Sequence, residues 1–182
     1  STSCRRRRAK ASAMSAALCP RGHRLCRITP CLYLSDSAAA SSALLLAASH
    51  VSTVINVSLE VANMFHPGVE YLHVPVADVP TARISAYFDA IADRIRSVGA
   101  RGGRTLLHCM AGVSRSATIC MAYLMKHHTM SLASTHAWVR SCRPIIRPNN
   151  GFWQQLVQYE YELFGINTVC MVRSPLGVIP GI

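Results

Sequence analysis

Residues 104–125 constrain the fold more tightly than any other stretch of the chain. Thr105-Leu106-Leu107 is a short apolar run with a β-branched start, and it suits a buried strand. From Ser116 the pattern changes to Ala-Thr-Ile-Cys-Met-Ala-Tyr-Leu-Met, which suits a buried helix. Between them lies a short loop with one Cys, one Gly and one Arg, ending at a helix start. A strand that feeds a helix through such a loop is the unit of an α/β sheet. The amides at the start of the helix point outward and its dipole favours negative charge, so the loop is a place to hold an oxyanion. Cys109 at the strand end would stand in a field that favours a thiolate, the nucleophilic form of the side chain. Arg115 could clamp a tetrahedral anion through two parallel hydrogen bonds.

Cys, five residues, then Arg is a weak pattern alone. None of the other cysteines (Cys4, Cys19, Cys26, Cys31, Cys120, Cys142, Cys170) has an Arg six residues on. The context adds to it: His108 precedes the Cys, Gly112 permits tight curvature, and Ser116 can hydrogen-bond the sulfur.

The rest of the chain supplies the neighbours that this unit needs. Residues 28–34 read as an edge strand interrupted at Pro30, and residues 37–49 as one Ala- and Leu-rich helix. Thr53–Val57 is β-branched and reads as a central strand, followed by a loop over 60–68 and a strand over 71–74. Pro75 and Pro80 bracket a rigid loop containing Asp78. Ile84, Phe88, Ile91, Ile95 and Val98 recur at helical spacing, with Asp89, Asp93, Arg94 and Arg96 on the opposite face. Further helices are predicted over 115–127, 131–141 and 150–164. The last has Asn149 or Asn150 as N-cap and Gly165 just past its end. Residues 166–182, with Pro175, Gly177, Pro180 and Gly181, read as an extended surface tail. The expected class is therefore α/β, with a short mixed, mostly parallel central sheet flanked by helices.

At 182 residues the chain suits one domain, and 51% hydrophobic content is enough for a sizeable core. A net charge of +11 favours anionic partners. Eight cysteines without a Cys-x-x-Cys argue against zinc, and a chain able to bury a core argues against a disulfide framework. The expectation is a reducing compartment, cytoplasmic with the nucleus as a second location. The longest strongly apolar stretches are too short to span a bilayer, so no transmembrane segment is expected. Residues 1–25, with the arginine run 5–8 and no acidic residue, form a separate basic segment expected to be disordered. It fits a mitochondrial-type transit segment, a nuclear or anionic-surface patch, or a tail without a role. Residues 26–182 form the domain.

The loop His108-Cys109-Met110-Ala111-Gly112-Val113-Ser114-Arg115-Ser116 resembles the signature loop of the cysteine-dependent protein tyrosine phosphatase superfamily. Three further runs narrow the resemblance: Val74-Pro75-Val76-Ala77-Asp78, Ala122-Tyr123-Leu124-Met125, and Arg143-Pro144-Ile145-Ile146-Arg147-Pro148-Asn149-Asn150-Gly151-Phe152. Together these are similar to the small atypical dual-specificity phosphatases over residues 26–180. The resemblance implies a tyrosine-phosphatase-like sheet, with Cys109 as nucleophile and Arg115 on the equatorial phosphate oxygens. It also implies a cradle of amides from Met110, Ala111, Gly112, Val113, Ser114 and Arg115, Asp78 as general acid and Ser116 as donor to the sulfur. His108 and Asn149 would support the loop, and no metal or cofactor is implied. Asp89 and Asp93 are rivals of Asp78 by proximity, but their spacing puts them on a solvated helix face.

Met110, Ala111 and Val113 are uncharged, whereas lipid phosphatases of this superfamily carry lysines in the loop. The chain also has no room for the insertions that deepen a tyrosine-only pocket. A shallow site accepting phosphotyrosine and phosphoserine or phosphothreonine in proteins follows from the resemblance. The expected partner is a phosphoprotein, with a member of a mitogen-activated protein kinase pathway as the family expectation and no specific nucleic acid. Two rival readings are a phospho-binding module without turnover and an RNA 5′-phosphatase. Retention of Cys109, Arg115, Ser116 and Asp78 weighs against the first, and an aromatic content of 7% against the second.

Overall fold

The computed structural model describes residues 23–182. The arginine run and the three readings of the basic segment lie outside the described residues. β1 (Cys26–Thr29) and β2 (Leu32–Ser35) form an antiparallel hairpin around Pro30 and Cys31. The single interrupted strand expected here is therefore two, because proline cannot donate to the ladder and the chain reverses at it. β2 then lies parallel to β5 (Thr105–His108), β5 to β3 (Thr53–Val57), and β3 to β4 (Glu70–Val74). The order β1-β2-β5-β3-β4 makes a mixed, mostly parallel sheet with β5 at its centre.

Successive side chains on the inner strands point to opposite faces. Leu34, Ile55 and Leu107 face the larger layer of helices, and Tyr33, Val54 and Leu106 face the smaller one. The larger layer holds α3 (Phe88–Ala100), α4 (Arg115–His128), α5 (Leu132–Cys142) and α6 (Asn150–Phe164). α4 is buried almost all round, as its near-continuous apolar sequence requires. The smaller layer is α1 (Ser37–Ala40) and α2 (Ala43–Ala48). One helix was expected there. The chain restarts at Ser42, whose side chain accepts from the amide of Leu45 and caps α2, while Asp36 caps α1 in the same way. A 3₁₀ turn, Ile84–Tyr87, leads into α3.

The stretch expected as an extended tail contains a second hairpin, β6 (Cys170–Ser174) and β7 (Gly177–Gly181). Its turn is closed by Ser174, whose hydroxyl bonds the Gly177 carbonyl and the Leu176 amide, with Gly177 at φ +103. The buried carboxylate of Glu160 anchors the approach to it, accepting from the amide and hydroxyl of Thr168 and from the amide of Leu132.

Candidate active site

β5 ends at His108, in the middle of the sheet, and the residues that follow curl into the N-terminus of α4. Cys109 is only 2% exposed, and its sulfur lies 3.2 Å from the Ser116 hydroxyl in the first turn of α4. Each carbonyl of the loop is tied to something outside it. That of Cys109 accepts from His108 Nδ1 at 3.2 Å, and that of Met110 from the Ser37 amide at 3.0 Å. Arg143 donates through Nη2 to Ala111 at 2.9 Å and through Nε to Gly112 at 2.7 Å. The Arg147 amide reaches the Val113 carbonyl at 2.7 Å, and the Thr118 amide and hydroxyl take that of Ser114. In a trans peptide the next N–H points opposite to the carbonyl. Six outward carbonyls therefore turn the amides of residues 110–115 inward, around the sulfur of Cys109. A ring of converging amides at a helix N-terminus is an anion cradle.

Gly112 makes this curvature possible. Its φ is +65, and a Cβ there would come within 2.5 Å of the Ser35 carbonyl at the end of β2. Burial lowers the pKa of His108, so its ring serves as a neutral hydrogen-bond donor beneath the loop.

Arg115 is 4% exposed. Both of its Nη atoms bind the carboxylate of Glu60, Nη1 to Oε2 at 2.7 Å and Nη2 to Oε1, and Nη1 also donates to the Val76 carbonyl at 3.0 Å. Its Nε is buried without an acceptor among the described residues. The Glu60 hydrogen bonds raise the pKa of the guanidinium, and the fields of Cys109 and Asp78 act in the same sense. The same bonds hold the Glu60 carboxyl at about 2. Glu60 is held in place from β3. The Asn56 side-chain amide donates to the Val61 carbonyl at 2.7 Å, and the Ser58 hydroxyl links Asn56 Oδ1 to the Val61 amide.

Asp78 lies beyond β4 on the loop between Pro75 and Pro80, exposed. Asn149 ties it to the cradle. The Asn149 amide donates to Ser114 Oγ at 3.1 Å, its Oδ1 caps α6 by accepting from Phe152, and its Nδ2 donates to Asp78 Oδ1 at 3.0 Å. The loop lies directly on the start of α6, where a Cβ on Gly151 would collide with the Pro80 carbonyl. Cys109, Ser116, Arg115, Asp78, His108 and Asn149 are thus brought to one end of the sheet. Asp89 and Asp93 are held elsewhere. Asp89 accepts from Lys126 and Tyr159, and Asp93 from Lys126 and His127. Glu60 was read only as the first residue of a loop, and Gly151 only as part of a motif. A lone carboxylate after a strand gives no local signal that it will meet an arginine 55 positions later.

The family model described as "Dual specificity phosphatase, catalytic domain" matches residues 32–162, well over half of the chain. The chain belongs to the dual specificity phosphatases. It is similar to dual specificity protein phosphatase 18 of Bos taurus, with 60% identity over 87% of this chain and 84% of that protein. Two solved structures share the fold of this phosphatase. Human DUSP28 is 38% identical, with a TM-score of 0.76 over 79% of this chain and 97% of that one. A mouse putative dual specificity phosphatase complexed with zinc tungstate is 34% identical, with a TM-score of 0.76 over 85% and 96%. This dual specificity phosphatase is therefore a hydrolase whose substrates are phosphoproteins, and its mixed sheet flanked by helices is the fold of its relatives. Among the described residues no helix is long and apolar enough to cross a membrane.

Proposed function

We propose that this phosphatase works through a phosphocysteine at residue 109, with the roles divided as follows. The phosphoryl group of the substrate sits against the amides of residues 110–115, with the free Nε of Arg115 on one of its oxygens. The Cys109 thiolate attacks phosphorus in line, the bond to the ester oxygen breaks, and Asp78 gives that oxygen its proton. Water then attacks the phosphocysteine with Asp78 taking its proton, and the Ser116 hydroxyl, 3.2 Å from the sulfur, donates to the departing thiolate. Asn149 fixes the acid: because its Oδ1 is engaged at the helix cap, its Nδ2 is the group that meets Asp78, and Asp78 Oδ2 is left to carry the proton.

The observation that carries this reading is the anchoring of every carbonyl from Cys109 to Ser114 on partners other than one another, which by peptide geometry leaves the six amides that follow turned away from those partners and available to an anion. The mouse relative complexed with a tungstate, a tetrahedral oxyanion, is consistent with it. The test is alkaline quench of a reaction with ³²P-labelled phosphotyrosyl peptide. Label should stay on the wild-type protein as an adduct that survives alkali but is lost in mild acid, as a phosphorothiolate monoester is, and be absent from Cys109→Ser. Label retained by that variant would refute the assignment. For the phosphoprotein itself, the reading favours a member of a mitogen-activated protein kinase pathway. Turnover of phosphorylated activation-loop peptides against unrelated phosphopeptides tests that choice.

A further inference from the structure

The two edges of the central sheet are finished differently. At one edge β1 is covered by α5, where Trp138 Nε1 donates to the Ile28 carbonyl at 2.9 Å. At the other, β4 has β3 on one side and no strand on its second side among the described residues. Every residue of β3 is buried, whereas in β4 only Val74 is. Successive residues of a strand turn their amide and carbonyl to alternate sides. The Glu70 amide bonds the Ser52 carbonyl, on the β3 side, at 2.9 Å. Glu70 and Leu72 therefore face β3, and Tyr71 and His73 direct their amides and carbonyls to the open side. Edges are commonly blunted by lysine, proline or a bulge, and Glu-Tyr-Leu-His-Val, in unbroken register with β3, has none of these. Its single charge, on Glu70, is paired with Arg94 of α3.

Charge favours a second copy as the occupant of this edge. No Lys or Arg occurs from residue 28 to residue 82, although the chain carries 19 of them and a net charge of +11. Two copies of so basic a chain repel each other, and least where β4 and the segments before it bring no cation of their own. We propose that a second copy of this chain pairs with β4 antiparallel about a two-fold axis at Leu72, joining the two central sheets into one. The register is self-complementary. Tyr71 of each copy stands opposite His73 of the other, and these are the residues with outward groups, so each such pair exchanges amide-to-carbonyl bonds in both directions. Leu72 meets Leu72 of the other copy as a non-hydrogen-bonded pair, with the side chains in contact. A slip by one residue would set inward groups against outward ones. The antiparallel arrangement sends the two β5–α4 loops to opposite ends of the joined sheet, so both cradles stay open to phosphoprotein.

The test is the molar mass of the full chain by sedimentation equilibrium over a series of concentrations. Wild type should pass from monomer to dimer as concentration rises. His73→Pro removes an amide that faces the open side and leaves the ladder to β3 intact. It should weaken the dimer roughly 10-fold or more, the scale of backbone hydrogen bonds lost from both copies. His73→Ala loses the ring but keeps the amide, and should weaken it much less. Leu72→Cys sets the altered side chains opposite one another at a Cα separation of about 4.5 Å, within disulfide reach. Mild oxidation should therefore link two copies through position 72, mapped by peptide mass spectrometry, and this readout stands even if His73→Pro fails to fold. A wild-type chain that stays monomeric overturns the proposal and leaves the edge to a strand of another protein. So does a dimer on which His73→Pro and His73→Ala act alike, or one that Leu72→Cys does not link through position 72.

Discussion

Glu60→Gln tests an ion pair of the site that the proposed mechanism keeps out of contact with substrate. The replacement keeps the length of the side chain and one acceptor oxygen, but removes the charge that faces both Nη atoms of Arg115. A hydrogen bond to a charged partner contributes roughly 1.5–3 kcal/mol. The Glu60 side chain is 44% exposed, so screening by solvent reduces the expected stability loss to about 1 kcal/mol. The pH dependence is more diagnostic than the size. The Glu60 carboxyl is held at about 2 instead of 4.5, chiefly by the Arg115 hydrogen bond. A carboxylate depressed in the folded state stabilises fully above its unfolded pKa, and the contribution is lost as pH falls through the folded value. The margin of wild type over the variant should thus be constant above pH 4.5 and shrink from there towards pH 2. Urea unfolding of both proteins at a series of pH values measures it. With its guide gone, Arg115 presents Nε less well, and kcat/KM on a phosphotyrosyl peptide should fall about 10-fold, equivalent to about 1.4 kcal/mol. A margin that stays flat or grows towards acid, or an unchanged kcat/KM, would refute the reasoning.

Three further outcomes are expected. Arg115→Lys keeps a charge but loses the planar fork that meets Glu60 and phosphate together, and kcat/KM should drop by about 100-fold or more; near-normal turnover would remove Arg115 from the reaction. Asp78→Asn should slow hydrolysis of phenyl phosphate by roughly 10²–10⁴-fold, yet cost much less on an ester with an acidic phenol. Equal losses on both esters, or the same leaving-group dependence in Asp89→Asn, would show that the acid is misassigned. Gly151→Ala forces the Pro80 carbonyl away from α6 and should cost about 1–3 kcal/mol in urea unfolding, with poor leaving groups affected more than good ones. No change in either measurement would mean that the acid loop does not depend on this contact.

Much of this site was legible because its parts are local. Strand, loop and helix follow one another from Thr105 to Met125, and the positions of Cys109, Gly112, Arg115 and Ser116 within that unit depend only on spacing. The asparagine at the start of α6 was readable as a cap for the same reason. What stayed hidden depends on how distant segments meet. Glu60 reaches Arg115 because β3 and β5 are parallel neighbours, which puts their C-terminal ends at one level. Gly151 needs its missing Cβ because a proline-bounded loop rests on it, which is a matter of docking and not of propensity. The split at Ser41 and Ser42 was missed because Ala and Leu on either side are good helix formers. Serine side chains compete for backbone amides, and that decides the break. The final hairpin was missed because Pro175, Gly177, Pro180 and Gly181 depress strand propensity, while pairing of the two segments outweighs it.

The anchoring of the loop carbonyls has a consequence for biosynthesis. Chains emerge from the ribosome N-terminus first, at about 5–20 residues per second. When α4 has just emerged, Ser37 and His108 are available to hold the Met110 and Cys109 carbonyls, but the groups that hold Ala111, Gly112 and Val113 come from residues 143 and 147. Until those arrive, the peptides of half the cradle are free to turn either way, and Cys109 sits in a nascent chain without an organised anion site. Catalytic competence is therefore a late acquisition, gained only when the segment between α5 and α6 closes over the loop. A nascent or prematurely released chain ending before Arg143 would carry the cysteine and the arginine of the signature and remain inert towards phosphoproteins.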